Sequence, residues 1–225
     1  MNIDMNDIQY FQNRIESERK RIARFEGSLN DLELSNTNGI RITKIHLANI
    51  YLNCIRLVFS KERSFESMFP DYIKFLKHYK DVCTSDDSMY DIIDTLSIGV
   101  LLSDKKNEFI EYLNEILLKY NSNDGMITFL MDYLKGTTSQ ISASRIKYFD
   151  SLLKSDEKAK MLKNELRLWY NNHKDAYWYN SHKSKAGTYC GYWCFEIAAL
   201  AKIFNIDDTI LRESQYYPYD LVNYN

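Results

Sequence analysis

The chain has 225 residues, of which 29 are lysine or arginine and 31 are aspartate or glutamate, giving a formal net charge of −2. This length is sufficient to bury a hydrophobic core without a metal or a disulfide framework. Because there is no basic excess to neutralise a phosphate backbone, we do not expect direct binding of nucleic acid.

Four cysteines lie inside apolar helical patterns, and their spacing is not that of a small secreted disulfide framework. They are Cys54, Cys83, Cys190 and Cys194. We interpret them as buried thiols. Residues 1–7 are polar and acidic, unlike an export signal, and the longest apolar runs are far shorter than the roughly 20 residues that span a bilayer. The sequence therefore predicts a soluble, cytoplasmic protein without a membrane partner.

Amphipathic helices account for most of the sequence pattern. Two prolines and seven glycines interrupt the whole chain, and apolar residues recur between them at three- and four-residue steps. This period predicts an all-α fold, a compact multi-helix bundle. We expect helices over residues 4–34, 40–60, 65–82, about 85–101, 106–120, 124–134, 158–169 and from about 191 onwards. The polar stretch at 136–140 favours an N-terminal helical module over residues 1–136 and a C-terminal one over residues 137–225, with one compact unit as the alternative.

Local signals mark some of the helix boundaries. Pro70 predicts a first turn or a break in the third helix, since an interior proline removes a helix hydrogen bond. A serine and two aspartates at 85–87 are expected to cap the fourth helix, and the aspartates within 206–209 to cap a short last helix. Residues 217–220 predict a rigid turn that returns the tail to the core.

An aromatic and small-residue pattern near the C-terminus is too particular for a generic helix. It covers residues 189–201 and continues over residues 216–222. Its distinguishing positions are Tyr189, Gly191, Tyr192, Trp193, Phe195, Glu196, Pro218 and Asp220. Because a carboxylate among aromatic neighbours is costly to bury, Glu196 needs a partner, for which His182 and Lys183 are the candidates.

This pattern resembles the C-terminal region of the PoNi-like immunity proteins, a family that neutralises secreted bacterial toxins. The specific match is confined to that region, and the N-terminal part agrees only in its long amphipathic helices. The resemblance implies a helical bundle that performs no catalysis and forms a one-to-one complex with a cognate toxin. We expect that toxin to be a DNase, and we expect its gene to lie directly beside this one.

One concentration of acidic residues is a candidate interface for such a toxin. Aspartates cluster at the fourth predicted helix and glutamates on the next, namely Asp86, Asp87, Asp91, Asp94, Glu108, Glu111 and Glu115. Steps of three and four predict one stripe on each helix, and the two stripes could form a negative face that steers to the basic cleft of a nuclease. Tyr90 and Tyr112 are the expected aromatic anchors. The alternative is that these carboxylates only cap helices and solvate the surface.

Two other classes of function remain open. A small helical enzyme would use Glu196 with His182 as an acid–base pair, whereas the structural alternative is that Glu196 anchors a neighbouring segment through hydrogen bonds. A helical adaptor or chaperone would bind several clients rather than one toxin. Cys190 and Cys194, with His173 and His182 upstream, match no usual zinc spacing, so we expect no metal and no cofactor.

Overall fold

The computed structural model describes residues 7–222, and within them it contains helices and loops without a strand. The α-helices are α1 (Ile8–Asp31), α2 (Thr37–Glu62), α3 (Phe65–Val82), α4 (Met89–Leu101), α5 (Ile110–Tyr120), α6 (Gly125–Lys135), α7 (Lys147–Lys154), α8 (Lys158–Asn172), α9 (Phe195–Ile203) and α10 (Tyr219–Val222). Short 3-10 helices lie at Ser103–Glu108, Ser181–Lys183 and Thr209–Leu211. The predicted all-α fold class is confirmed.

The chain divides into two compact units whose segments interleave along the sequence. Of the described residues, unit 1 comprises residues 7–84, Glu111–Lys119 and Asn180–Tyr192. Unit 2 comprises Ser85–Ile110, Tyr120–Tyr179 and residues 193–222. The module boundary predicted after residue 136 stays a prediction.

Helices α1, α2 and α3 form the framework of unit 1, in which α2 packs against both of the others. Most of α2 is buried from Leu47 onwards, and Ile55 and Phe59 have no exposed surface. Removal of apolar surface from water stabilises such a core by about 25 cal/mol per Å². Helix α2 is therefore the central element of unit 1.

Unit 1 also buries charged side chains, each with a partner. Glu18 in α1 has no exposed surface, and it accepts hydrogen bonds from Arg14 and Arg21 at 2.6 Å each. Asp71 in α3 accepts two hydrogen bonds from Arg19 in α1. Since a buried carboxylate that loses its partner is strongly destabilising, the second pair fixes the position of α1 against α3.

In unit 2 the short apolar helix α9 is the central element. It packs against α4, α8 and α10, and α4 also contacts α6. Every residue of α9 from Phe195 to Ala201 is buried. At its C-terminal end, the Nζ of Lys202 donates a hydrogen bond to the carbonyl of Leu101 at 2.9 Å, which ties α9 to the end of α4.

Several boundaries differ from their predictions. Helix α3 begins at Phe65 and continues through Pro70, so the prediction that Pro70 marks a first turn or a break is wrong. At this position the proline removes one helix hydrogen bond, and the helix tolerates the loss. Helix α4 is preceded by Ser88 rather than by a cap at residues 85–87, and the Ser88 side chain makes no capping hydrogen bond. Helix α7 was not predicted. The predicted start of the first helix at residue 4 lies outside the described residues.

Gly125 opens α6 at a close approach of the segment that precedes α7. A Cβ at this position would lie 2.0 Å from the carbonyl oxygen of Ser142. Because that backbone must move to admit a methyl group, we expect Gly125→Ala to lower the free energy of unfolding by about 2–4 kcal/mol in urea denaturation.

Gly27→Ala in α1 is the control, because a Cβ there meets no atom within 4 Å. It should leave stability unchanged or raise it by up to about 1 kcal/mol, as expected for alanine in place of glycine in a helix. Equal stability of the two variants would contradict the close approach at Gly125.

Candidate functional site

The signature residues fall in both units, and one of them must be glycine. Gly191 has a φ of 97°, a conformation that strains any residue with a Cβ. Helix α9 begins at Phe195, with Cys194 as its N-cap residue, so the start predicted near residue 191 is wrong. Tyr192 and Trp193 precede the helix, which begins only after the positive φ of Gly191.

In unit 1, Tyr189 and Tyr192 are buried and hold the first part of the signature in place. The carbonyl of Tyr189 accepts a hydrogen bond from the hydroxyl of Tyr10 at 2.9 Å. The hydroxyl of Tyr192 lies 2.8 Å from Nδ1 of His182 and also accepts from the His182 backbone N–H at 3.2 Å. Burial, and then the charge of Lys183, lower the pKa of His182. His182 thus anchors this segment within unit 1.

In unit 2, Glu196 accepts a hydrogen bond from the indole Nε1–H of Trp169 in α8 at 2.5 Å. Both residues are buried. The partner expected for Glu196 was His182 or Lys183, and the structure provides Trp169 instead. Glu196 also lies in the first turn of α9, where the helix dipole favours a negative charge. The carboxylate therefore has two local sources of stabilisation.

Trp169 is the centre of an aromatic cluster in unit 2. Its ring centroid lies 5.1 Å from that of His173, 5.0 Å from that of Trp178 and 5.3 Å from that of Tyr216. Tyr90 of α4 contacts His173, with 4.7 Å between the centroids. Aromatic pairs at these distances contribute about 0.5–1.5 kcal/mol beyond their buried area. The cluster joins α4 and α8 to the segments that follow α8 and α9.

The remaining signature positions close the C-terminal end of unit 2. The backbone N–H of Leu221 donates to the carbonyl of Pro218 at 3.0 Å, and Asp220 lies in the first turn of α10. The hydroxyl of Tyr217 donates to the buried carboxylate of Asp208 at 2.7 Å. The predicted turn is thus a short helix held by a buried hydrogen bond.

A cavity of about 670 Å³ lies beside the aromatic cluster in unit 2. Its lining includes Tyr90, Tyr148, Glu165, Trp169, His173 and Ile197. Burial raises the pKa of the Glu165 carboxyl. The hydroxyl of Tyr148 is buried and has no hydrogen-bond partner in the described part of the chain. The cavity therefore combines aromatic rings with polar groups that have not been satisfied.

Sequence reasoning named Tyr90 as an aromatic anchor near the acidic face, and it did not predict this cavity. Residues 169–179 contain two tryptophans and three tyrosines, a density that could have indicated an aromatic site. The sequence around Glu165 and Tyr148 shows no comparable pattern. Whether such a side chain lacks a hydrogen-bond partner is decided by the folded structure and not by its neighbours in sequence.

The predicted acidic residues of unit 2 lie before α4, within its first two turns and at the end of the 3-10 helix that follows it. Asp86 is exposed, and Asp87 is half-buried in the turn that precedes the helix. Only Asp91 and Asp94 therefore share the stripe predicted on α4, and both are half-buried. Glu108 is exposed at the end of the 3-10 helix, before α5 begins.

The other predicted interface residues lie on α5, within unit 1. Glu111 and Glu115 are exposed, and Tyr112 is half-buried. Glu115 forms an ion pair with Lys80 at 2.9 Å, and this hydrogen bond raises the pKa of Lys80. The Lys80 ammonium also lies 5.9 Å from the centroid of the Tyr112 ring. A cation thus balances part of this acidic set, and the acidic interface stays a prediction.

The four cysteines are free and buried, as their apolar pattern predicted. Burial raises the pKa of Cys190 and, more strongly, that of Cys194. Across residues 7–222, no group of three or more His, Cys, Asp or Glu side chains is arranged to hold a metal ion. In the same part of the chain, no helix combines the length and the apolar character needed to cross a membrane.

The fold and the cavity define an all-α protein whose second unit offers a recessed aromatic site. Two family models match the sequence, "PoNe immunity protein (PoNi), N-terminal" over residues 4–112 and "PoNe immunity proteins (PoNi), C-terminal" over residues 122–221. The chain therefore belongs to the PoNe immunity protein family. Its partner is accordingly a cognate toxin.

Solved structures agree with the fold. The crystal structure of protein PA2201 from Pseudomonas aeruginosa is similar, with a TM-score of 0.69 and 19% sequence identity over 100% of this chain and 89% of that chain. At this identity the likeness concerns the fold alone. No match was found among curated proteins.

Trp169→Phe removes the donor that satisfies the buried Glu196 carboxylate. We expect it to lower the free energy of unfolding by about 2–4 kcal/mol, because the carboxylate is left without that hydrogen bond. Glu196→Gln keeps an acceptor oxygen and should cost about 1–2 kcal/mol. Urea denaturation of both variants and of the double variant measures the coupling. Strictly additive effects would contradict a direct hydrogen bond between the two residues.

Proposed function

We propose that this immunity protein binds and neutralises a DNase toxin in the cytoplasm of the producing cell and its kin. One immunity protein binds one toxin, and the toxin gene lies directly beside this one. The observation that carries the proposal is the match of the two immunity-protein models to residues 4–112 and 122–221. The DNase assignment and the stoichiometry go beyond that match and are tested below.

Charge complementarity supports a nuclease as the target. A DNase needs a basic surface to hold the phosphate backbone of its substrate. Asp86, Asp87, Asp91 and Asp94 concentrate negative charge at α4, with no lysine or arginine between Ser85 and Leu102. Such a surface accelerates association with a basic partner and competes with DNA for the same groups. Glu111 and Glu115 of α5, in unit 1, are further proposed toxin contacts.

A binding role is also consistent with the positions of Glu196 and His182, the two side chains that the enzyme alternative would use as an acid–base pair. Glu196 is hydrogen-bonded to Trp169 in unit 2, and His182 is hydrogen-bonded to Tyr192 in unit 1. Each contact anchors a segment of the signature within its own unit. Membership of an immunity family likewise favours inhibition by binding over turnover. An adaptor with several clients lacks a comparable observation in its favour.

DNA cleavage by the adjacent gene product tests this proposal. Plasmid degradation should fall linearly as the immunity protein is added and should stop at one equivalent. A toxin that degrades no DNA, but is still inhibited in its lethal activity, would replace the DNase assignment with another chemistry. Sub-stoichiometric inhibition with continued turnover would favour the enzyme alternative.

Reversal of the α4 charges tests the interface. We expect Asp87→Lys, Asp91→Lys and Asp94→Lys together to weaken toxin binding by about tenfold or more, mainly through slower association at low salt. Surface plasmon resonance at two salt concentrations gives the rates, and circular dichroism checks that the variant is folded. The triple aspartate-to-asparagine variant is the milder version.

The matched control carries the same change in net charge elsewhere in unit 2. Asp156, Glu157 and Glu213 are exposed, and all three are replaced by lysine. If this control weakens binding as much as the α4 variant does, net charge rather than the α4 surface controls association. If neither variant changes the affinity, the interface lies elsewhere.

A further inference from the structure

The cavity of unit 2 has aromatic walls that suit a flat cation. Tyr90 and Trp169 both contact His173 and line the same space. The hydrogen bond from the Trp169 indole to Glu196 fixes the orientation of that ring. Guanidinium and ammonium groups bind within about 6 Å of the centre of an aromatic face, more strongly where water is excluded.

Glu165 supplies a negative charge to this cavity. It lies on α8, four residues before Trp169, so the two side chains share one face of the helix. Among the described residues, no hydrogen bond or ion pair reaches its carboxylate, and burial alone raises its pKa. A partly buried carboxylate without a partner loses hydration that a bound cation would replace.

Tyr148 of α7 contributes a second unsatisfied group. Its hydroxyl is buried and has no hydrogen-bond partner in residues 7–222. A phenol oxygen can accept a hydrogen bond from an N–H group. An occupant with several N–H donors can therefore satisfy the partly exposed Glu165 carboxylate, and it can also satisfy the Tyr148 hydroxyl once that buried oxygen turns toward the cavity.

The basic residues that line the cavity do not neutralise the Glu165 carboxylate. Arg145 donates to the hydroxyl of Tyr120 at 3.1 Å and lies 3.7 Å from the carboxylate of Asp124, so its own charge is balanced. Lys147 is exposed at the rim. Neither forms an ion pair with Glu165.

Burial and nearby acidic groups raise the pKa values of two phenols that line the cavity. Burial raises the pKa of Tyr90, and the charges of Asp175 and Glu196 raise it further. Burial also raises the pKa of Tyr148, with added contributions from Glu196 and Glu165. Acidic groups thus approach the cavity from α8, from α9 and from the segment that follows α8.

We propose that this cavity binds an arginine side chain of the toxin, with its guanidinium against the rings of Tyr90 and Trp169 and hydrogen-bonded to Glu165. This rests on the proposed function and names the toxin group that the site receives. Guanidinium is planar, permanently charged and rich in N–H donors. An anionic group would be repelled by Glu165, and an apolar group would leave the carboxylate unsatisfied. Since nucleases hold phosphates with basic side chains, occupation withdraws one such residue from DNA.

Glu165→Gln tests the cavity with the toxin itself. We expect isothermal titration with a catalytically inactive toxin to show affinity about 10- to 100-fold weaker than for the unchanged protein, because the charge-assisted hydrogen bond is lost. Glu213→Gln is the matched control, since it removes the same charge from an exposed position of unit 2. It should change affinity by less than about threefold.

The outcomes separate this proposal from the proposed function. Normal toxin binding by a folded Glu165→Gln variant overturns the arginine site and leaves the immunity function intact. Failure of the unchanged protein to bind the toxin overturns the proposed function. The titration with a small molecule described below then tests whether the cavity binds a guanidinium group.

N-acetyl-arginine amide probes the cavity without the toxin. In ¹⁵N-resolved NMR, the indole N–H signal of Trp169, assigned with Trp169→Phe, should shift and saturate as the probe is added. Glu165→Gln should abolish that shift. A saturable response to N-acetyl-lysine amide of equal strength would overturn the preference for guanidinium, and no response to either probe would overturn the site.

Tyr148→Phe distinguishes a binding role from a structural one. Removal of an unsatisfied buried hydroxyl should leave the melting temperature unchanged or raise it, because the free protein loses an unpaired polar group. Toxin affinity should nevertheless fall by about 3- to 10-fold as the acceptor disappears. Unchanged affinity in this variant would exclude the hydroxyl from the site.

Discussion

The hydrogen bond between Trp169 and the buried Glu196 carboxylate is the interaction on which unit 2 depends. It joins α8 to the first turn of α9, and α9 is the helix against which α4, α8 and α10 pack. Alone, a buried carboxylate would destabilise this core by several kcal/mol, on the order of the penalty for any unpaired buried charge. With its donor in place, the same group holds the indole ring that lines the cavity. The hydrogen bond between Trp169 and Glu196 therefore contributes both to the stability of unit 2 and to the geometry of the candidate site.

Unit 1 follows the same principle with different donors. Glu18 is enclosed by two arginines of its own helix, and Asp71 is paired with an arginine across α1 and α3. In each of these cases a buried carboxylate is matched by a specific donor, whereas the half-buried carboxylate of Glu165 receives no hydrogen bond or ion pair from the residues that the structure describes. That contrast distinguishes Glu165 from the buried carboxylates of α1, α3 and α9.

Sequence pattern predicted the architecture well because helical periodicity is local. The extents of α2, α3 and α6 agree with prediction to within a few residues, and Asp124 caps α6 as a short-range signal can. Pro70 misled the prediction, since tertiary packing tolerates the loss of one helix hydrogen bond early in α3. Helix α7 was missed because eight residues give too few turns to establish a period.

The candidate site was less accessible to sequence reasoning. The signature marked Glu196 as unusual, but its partner lies 27 residues earlier in the chain, and no spacing rule connects them. Glu165 and Tyr148 were proposed as site residues from contacts that are missing among residues 7–222, and only the folded chain reveals such contacts.

Neutralisation by direct binding is tested most directly by co-expressing this protein with the adjacent toxin gene and measuring cell survival together with the mass of any co-purified complex. Survival with a stable one-to-one complex is the predicted result, whereas survival without a complex, or a complex that fails to protect the cell, would contradict it.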